Sequence, residues 1–124
     1  MGQSGFADPV MKQTPKNHFG AALRAARRAA GVPQEGFGLV SSRTYMSMLE
    51  RSVRNPTLNK IDDLAPVLGI HPASLVVMSY LSAGASAAQL ERLLARIRAE
   101  VTAGMAEFER SPAPAPARKG QSRA

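Results

Sequence analysis

Between Phe19 and Phe108 the apolar positions recur at intervals of three and four, and β-branched residues never form an alternating run of strand length. The pattern predicts an all-α chain. Phe19, Ala22, Leu23, Ala26 and Ala30 line one face of a first helix, Arg24 and Arg28 lie on another, and Gly31 ends it. Pro33 suits the first turn of a short second helix carrying Phe37, Leu39 and Val40. Ser42 is a good N-cap for a third helix from Arg43 to about Arg51, in which Met46, Leu49 and Val53 are expected to face the core. Thr57 caps a fourth helix with Leu58, Ile61, Leu64, Ala65 and Leu68 inward; Pro66 bends it and Gly69 terminates it. His71 and Pro72 open a fifth, containing Leu75, Val76, Met78 and Leu81. Ser86 to Gln89 forms a capping box, after which Leu90, Leu93, Leu94, Ile97, Val101 and Phe108 make a heptad-like stripe interrupted at Gly104.

The expected organisation is a flexible N-terminal arm over residues 1–17, a helical domain over 18–82, a C-terminal amphipathic helix over 86–109 and a disordered basic tail over 110–124. A length of 124 residues leaves room for one core with extensions. The net charge of +7, sixteen Lys and Arg against nine Asp and Glu, favours a polyanionic partner, nucleic acid or acidic membrane. The chain has no Cys, which removes disulfides, thiolate metal sites and Cys nucleophiles together. No run of about eighteen apolar residues exists, and Met1 to Lys16 lacks the apolar stretch of a signal peptide. A cytoplasmic protein that does not bind membrane is expected.

Helix, short helix, tight turn, helix is the order of a helix-turn-helix reader, in which two helices set the angle of a third in the major groove. Gly31, Gln34 and Glu35, then Arg43-Thr44-Tyr45 with Ser47 and Leu49-Glu50-Arg51, then Pro56 before Leu58, carry a resemblance to the Cro and phage-repressor (xenobiotic-response-element) family over about half the chain. The resemblance implies a five-helix phage-repressor-like domain and a transcriptional regulator that binds double-stranded DNA; no cofactor or metal is expected, there being no Cys and no well-placed His or Asp pair. It also implies a structural ion pair between Arg27 and Glu50. Two departures bear on geometry. The stretch from Gly38 to Arg43 is about two residues shorter than the family's, so a shortened second helix is expected, and Ser52 stands where the family usually has a glycine.

Helical spacing sets Arg43, Thr44, Ser47, Met48 and Arg51 opposite Met46 and Leu49. Arg43 can bond two acceptors on a guanine edge, Ser47 can donate or accept, and Thr44 and Met48 can meet thymine methyls. These four are the expected base readers. Phosphate contacts are expected from Gln34, Ser42, Tyr45, Arg51, Arg54 and Asn55.

An enzyme is not expected, because His18 and His71 lie in different elements and adjacent Asp62 and Asp63 point in different directions. The stronger alternative is a helix-turn-helix interaction protein, an antitoxin or anti-activator, whose outward face binds a protein partner. Regulators that read two half-sites act as dimers. The 86–109 stripe is therefore expected either to build a homodimer or to fold back as a sixth helix.

Overall fold

A computed structural model describes residues 17–110 of the chain, and all its regular elements are helical. They are α1 (Phe19–Ala30), a 3-10 turn (Gln34–Phe37), α2 (Arg43–Glu50), α3 (Leu58–Leu68), α4 (Pro72–Ser79) and α5 (Ala87–Arg110). The chain divides between Ala85 and Ser86 into two units. The arm over residues 1–16 and the tail from 111 onward lie outside the described residues. Asn17, expected in the arm, belongs to the first unit: its amide donates to Ser79 Oγ (2.7 Å) and its Oδ1 accepts from Phe19 N (2.9 Å).

In the first unit α1 packs against α4 and α2, α3 packs against α4, and the 3-10 turn lies against α2 and α3. The core is built from Phe19, Leu23 and Ala26 of α1, Phe37, Met46 and Leu49, and Ile61, Leu64, Leu68 and Leu75. Ser42 Oγ caps α2 by accepting from Tyr45 N, and Thr57 Oγ1 caps α3 by accepting from Lys60 N, both at 3.0 Å. His71 caps α4 through Nδ1, which accepts from Ala73 N at 2.9 Å.

The second helix is shortened, as expected, and to a single 3-10 turn ending at Phe37, because Gly36 and Gly38 disfavour helix and Gly38 to Val40 form a turn. The first unit thus holds four α-helices and this turn rather than five helices. Leu39, which falls beyond the 3-10 turn, is fully exposed. Val53 and Leu58 are exposed as well, the first because α2 stops at Glu50, the second because it occupies the opening position of α3 ahead of the inward Ile61 and Leu64. Ala30 is exposed at the end of α1. The fourth expected helix does run through Pro66 to Leu68, Pro66 having no N–H for the carbonyl of Asp62.

The ends of α1 and α2 share one geometry. After α1, Gly31 (φ 71°) donates to Arg28 O and Val32 to Arg27 O. After α2, Ser52 (φ 63°) donates to Leu49 O at 3.1 Å and Val53 to Met48 O at 2.9 Å. Both are Schellman closures, which need a left-handed residue and usually take glycine. Ser52 adopts the left-handed conformation itself.

In the second unit, Gln89 N donates to Ser86 Oγ (3.1 Å) and Ser86 N to Gln89 Oε1 (2.7 Å), the reciprocal capping box that starts α5. The helix continues one residue past the expected end, to Arg110, which pairs with Glu107. Arg96 and Glu100 form a second pair at 2.9 Å. None of its residues is buried, and Leu94, Val101, Met105 and Phe108 are exposed.

Candidate nucleic-acid interface

The site begins with a buried charge. Glu50 closes α2 with its side chain 1% exposed, and Arg27 from α1 meets it with two hydrogen bonds, Nε to Oε2 at 2.5 Å and Nη2 to Oε1 at 3.0 Å. Arg27 also donates through Nη1 to Val32 O at 3.2 Å, which ties the pair to the chain leaving α1. Gln34 donates to Glu50 Oε1 at 3.1 Å and Arg24 approaches the same oxygen at 3.5 Å. Burial pushes the Glu50 carboxyl up. Hydrogen bonds from Arg27 and Gln34, the Arg27 charge and the bond from Arg24 outweigh it and hold the group below the usual carboxylate range. The hydrogen bond to Glu50 likewise raises Arg27 above its ordinary value against the opposing effect of burial. The expected ion pair therefore exists, and it fixes α1, the 3-10 turn and α2 at one point.

Close approach of α1 and α2 reinforces this junction. A Cβ added at Gly20 would lie 2.6 Å from Glu50 O, 2.7 Å from Leu49 O and 2.7 Å from Ser52 Oγ. Only a glycine lets the two backbones meet there.

On the outward side of α2, Arg43, Thr44, Ser47 and Arg51 line one polar hollow together with Gln34. Three of the four expected base readers are thus brought together; Met48 is partly buried and not among the lining residues. Arg43 is 69% exposed, and its Nε lies 3.3 Å from Glu35 Oε2 in an exposed pair. Such a pair is weak and easily exchanged for another acceptor. Arg51 Nε donates to Ser47 Oγ at 3.2 Å.

The six expected phosphate contacts are placed less uniformly. Gln34 lines the hollow but spends its amide on Glu50, a long-range partner that helical spacing does not reveal. Ser42 Oγ accepts from the helix and keeps its own proton for a donor bond. Tyr45 packs against the core, with Lys60 Nζ 5.2 Å from its ring centre, while Lys60 donates to Val40 O at 2.9 Å. Lys60 is a cation at this edge that spacing along α3 alone did not single out. Arg54 is exposed. Asn55 lines a different hollow, with Asn17, Phe19, Leu58, Tyr80 and others, so it is not gathered with Arg43.

Among the described residues no group of three or more His, Cys, Asp or Glu is arranged to hold a metal ion, and no single helix is long and apolar enough to cross a membrane. Comparison with protein-family models, with curated proteins and with solved structures found no match.

Proposed function

We propose that the protein is a transcriptional regulator of the helix-turn-helix type that binds double-stranded DNA sequence-specifically, with α2 in the major groove. The observation that carries the reading is the polar outward face of α2, where Arg43, Thr44 and Ser47 share one hollow with Arg51 above a buried, fully hydrogen-bonded Glu50. A reading helix needs side chains able to address base edges and a support that holds them at a fixed angle. The outward face supplies the first and the Arg27, Gln34 and Glu50 cluster the second. A surplus of cations over the whole chain supplies long-range attraction to phosphate.

Selection of bound fragments from genomic DNA, followed by salt titration on the selected site and on random duplex, tests the proposal. The expected result is a recurrent sequence, bound far more tightly than random duplex, with affinity falling steeply as salt rises. Equal affinity for all duplexes would overturn it. In that outcome the exposed Leu39, Val53 and Leu58 would favour a protein partner for this domain.

A further inference from the structure

The residues of α5 (Ala87–Arg110) leave an apolar stripe uncovered, and the charges beside it are informative about what covers it. Leu90, Leu94, Ile97, Val101, Gly104 and Phe108 follow one another at alternating steps of four and three, the a and d positions of a heptad pattern. Arg96 pairs with Glu100 and Arg110 with Glu107 within the helix. Glu91 and Arg98, which flank the stripe at consecutive e positions, have no ion-pair partner among the described residues.

We propose that the stripe from Ala87 to Gly104 is covered by α5 of a second copy running antiparallel, with Leu94 facing Ile97 of the other copy, Leu90 facing Val101, Ala87 facing Gly104, and Glu91 paired with Arg98, while Phe108 lies beyond the overlap. Charge chooses this arrangement. Antiparallel helices place e positions opposite e positions, so this register forms the Glu91 and Arg98 pair twice by symmetry. Sliding by one heptad in one direction sets Arg98 against Arg98 and Glu100 against Glu100, and sliding in the other sets Glu91 against Glu91. A parallel pair sets e against g, which leaves Arg98 beside Leu93 and Glu100 beside Met105. Only the proposed register satisfies both unpaired charges with apolar layers throughout.

Gly104 gains a role in the same register. A Cβ added there meets nothing within 4 Å, so no packing among the described residues requires a glycine. Set against Ala87, it makes a layer of two small residues at each end of the overlap, where the helix backbones can come close. The overlap from Ala87 to Gly104 is about 27 Å long. The pairing involves none of the residues assigned to DNA and stands or falls separately from that reading.

The test uses the full chain, whose lack of Cys allows single labels. Sedimentation equilibrium should give twice the chain mass, dissociating on dilution. Glu91→Arg should weaken association about tenfold or more at low salt, because two attractive pairs become two repulsive ones. Arg98→Glu should do the same, and E91R/R98E together should restore it. A spin label on Glu109→Cys should report a separation of about 40 Å between copies, since the two labels lie at opposite ends of the pair. Reversal without rescue in the double variant, a label separation under about 20 Å, as parallel helices would give, or a monomer at all concentrations would overturn the proposal. Ile97→Glu serves as the control for the stripe itself. It should yield a monomer with an unchanged thermal midpoint for the first unit, whereas a large fall in that midpoint would mean that the stripe is covered within one chain.

Discussion

Ser52 holds a left-handed backbone (φ 63°) at the end of α2 that Gly31 adopts without strain after α1. A side chain in that conformation costs about 1 to 2 kcal/mol, so Ser52→Gly should stabilise the protein by about 1 kcal/mol. Urea unfolding measures it directly. A loss of stability would mean that Ser52 Oγ, close to Gly20, contributes more than the backbone strain removes. Glu50 makes a second prediction at this scale. Its carboxyl is held below its unfolded value of about 4.3, so the stability it contributes is complete above that value and is lost as pH falls through the folded one. The raised Arg27 acts at the other extreme, where its contribution is complete below the ordinary guanidinium value and is lost only above it. Stability should therefore decline as the solution is acidified below about pH 4, and Glu50→Gln should flatten that decline. At neutral pH the same substitution should cost about 3 kcal/mol, because Arg27, with its side chain 13% exposed, loses its counter-charge. Parallel acid limbs in the two proteins would assign the pH dependence to other carboxylates.

At the level of elements, the junction of α1 with α2 is set by contacts as close as the backbone permits. Gly20→Ala should destabilise the fold by about 2 to 3 kcal/mol, because the new methyl meets two backbone carbonyls of α2 rather than a movable side chain. A thermal midpoint unchanged from the parent would show that the helices can separate freely. If α2 reads bases, Arg43→Ala should cost about 1 to 3 kcal/mol on the preferred site and relax one base position, whereas Arg54→Ala should weaken all duplexes alike. Binding assays on the selected site and on single-base variants separate the two effects. Helix starts and stops were readable from the sequence because their chemistry is local: Ser42, Thr57, Gly31, Gly69 and the Ser86 to Gln89 box each bond backbone within a few residues. The Arg27 and Glu50 pair came from family resemblance. The hydrogen bond of Gln34 to Glu50 joins residues 16 apart in sequence and has no periodic signature. Val53 and Leu39 misled for one reason: extending a 3.6-residue period beyond a helix end assigns a face to residues that no longer have one.

For the whole molecule, the division at Ala85 predicts how stability and the proposed DNA binding separate. Among the described residues, the core of the first unit is drawn from Phe19 to Leu75, and the residues packed around it extend to Met78. Deleting residues 86–124 should therefore leave a folded first unit with a thermal midpoint close to that of the full chain. Residues 1–85 retain nine Lys and Arg against five Asp and Glu, a net charge of +4, and attraction to phosphate should survive the deletion. What should be lost is pairing. If both the DNA-binding and the pairing proposals hold, a protomer alone addresses one half-site, while two joined copies bind the second half-site at high effective concentration, which is worth a factor of about 100 or more. The truncated protein should be monomeric in light scattering, bind the selected site at least that much more weakly, and show about half the salt slope, because half as many phosphates are neutralised in one binding event. Unchanged affinity with an unchanged slope would show that one copy makes the whole DNA contact. A truncated protein that stayed dimeric would place the interface among α1 to α4, and a collapse of the thermal midpoint would show that the first unit needs the deleted segment to fold.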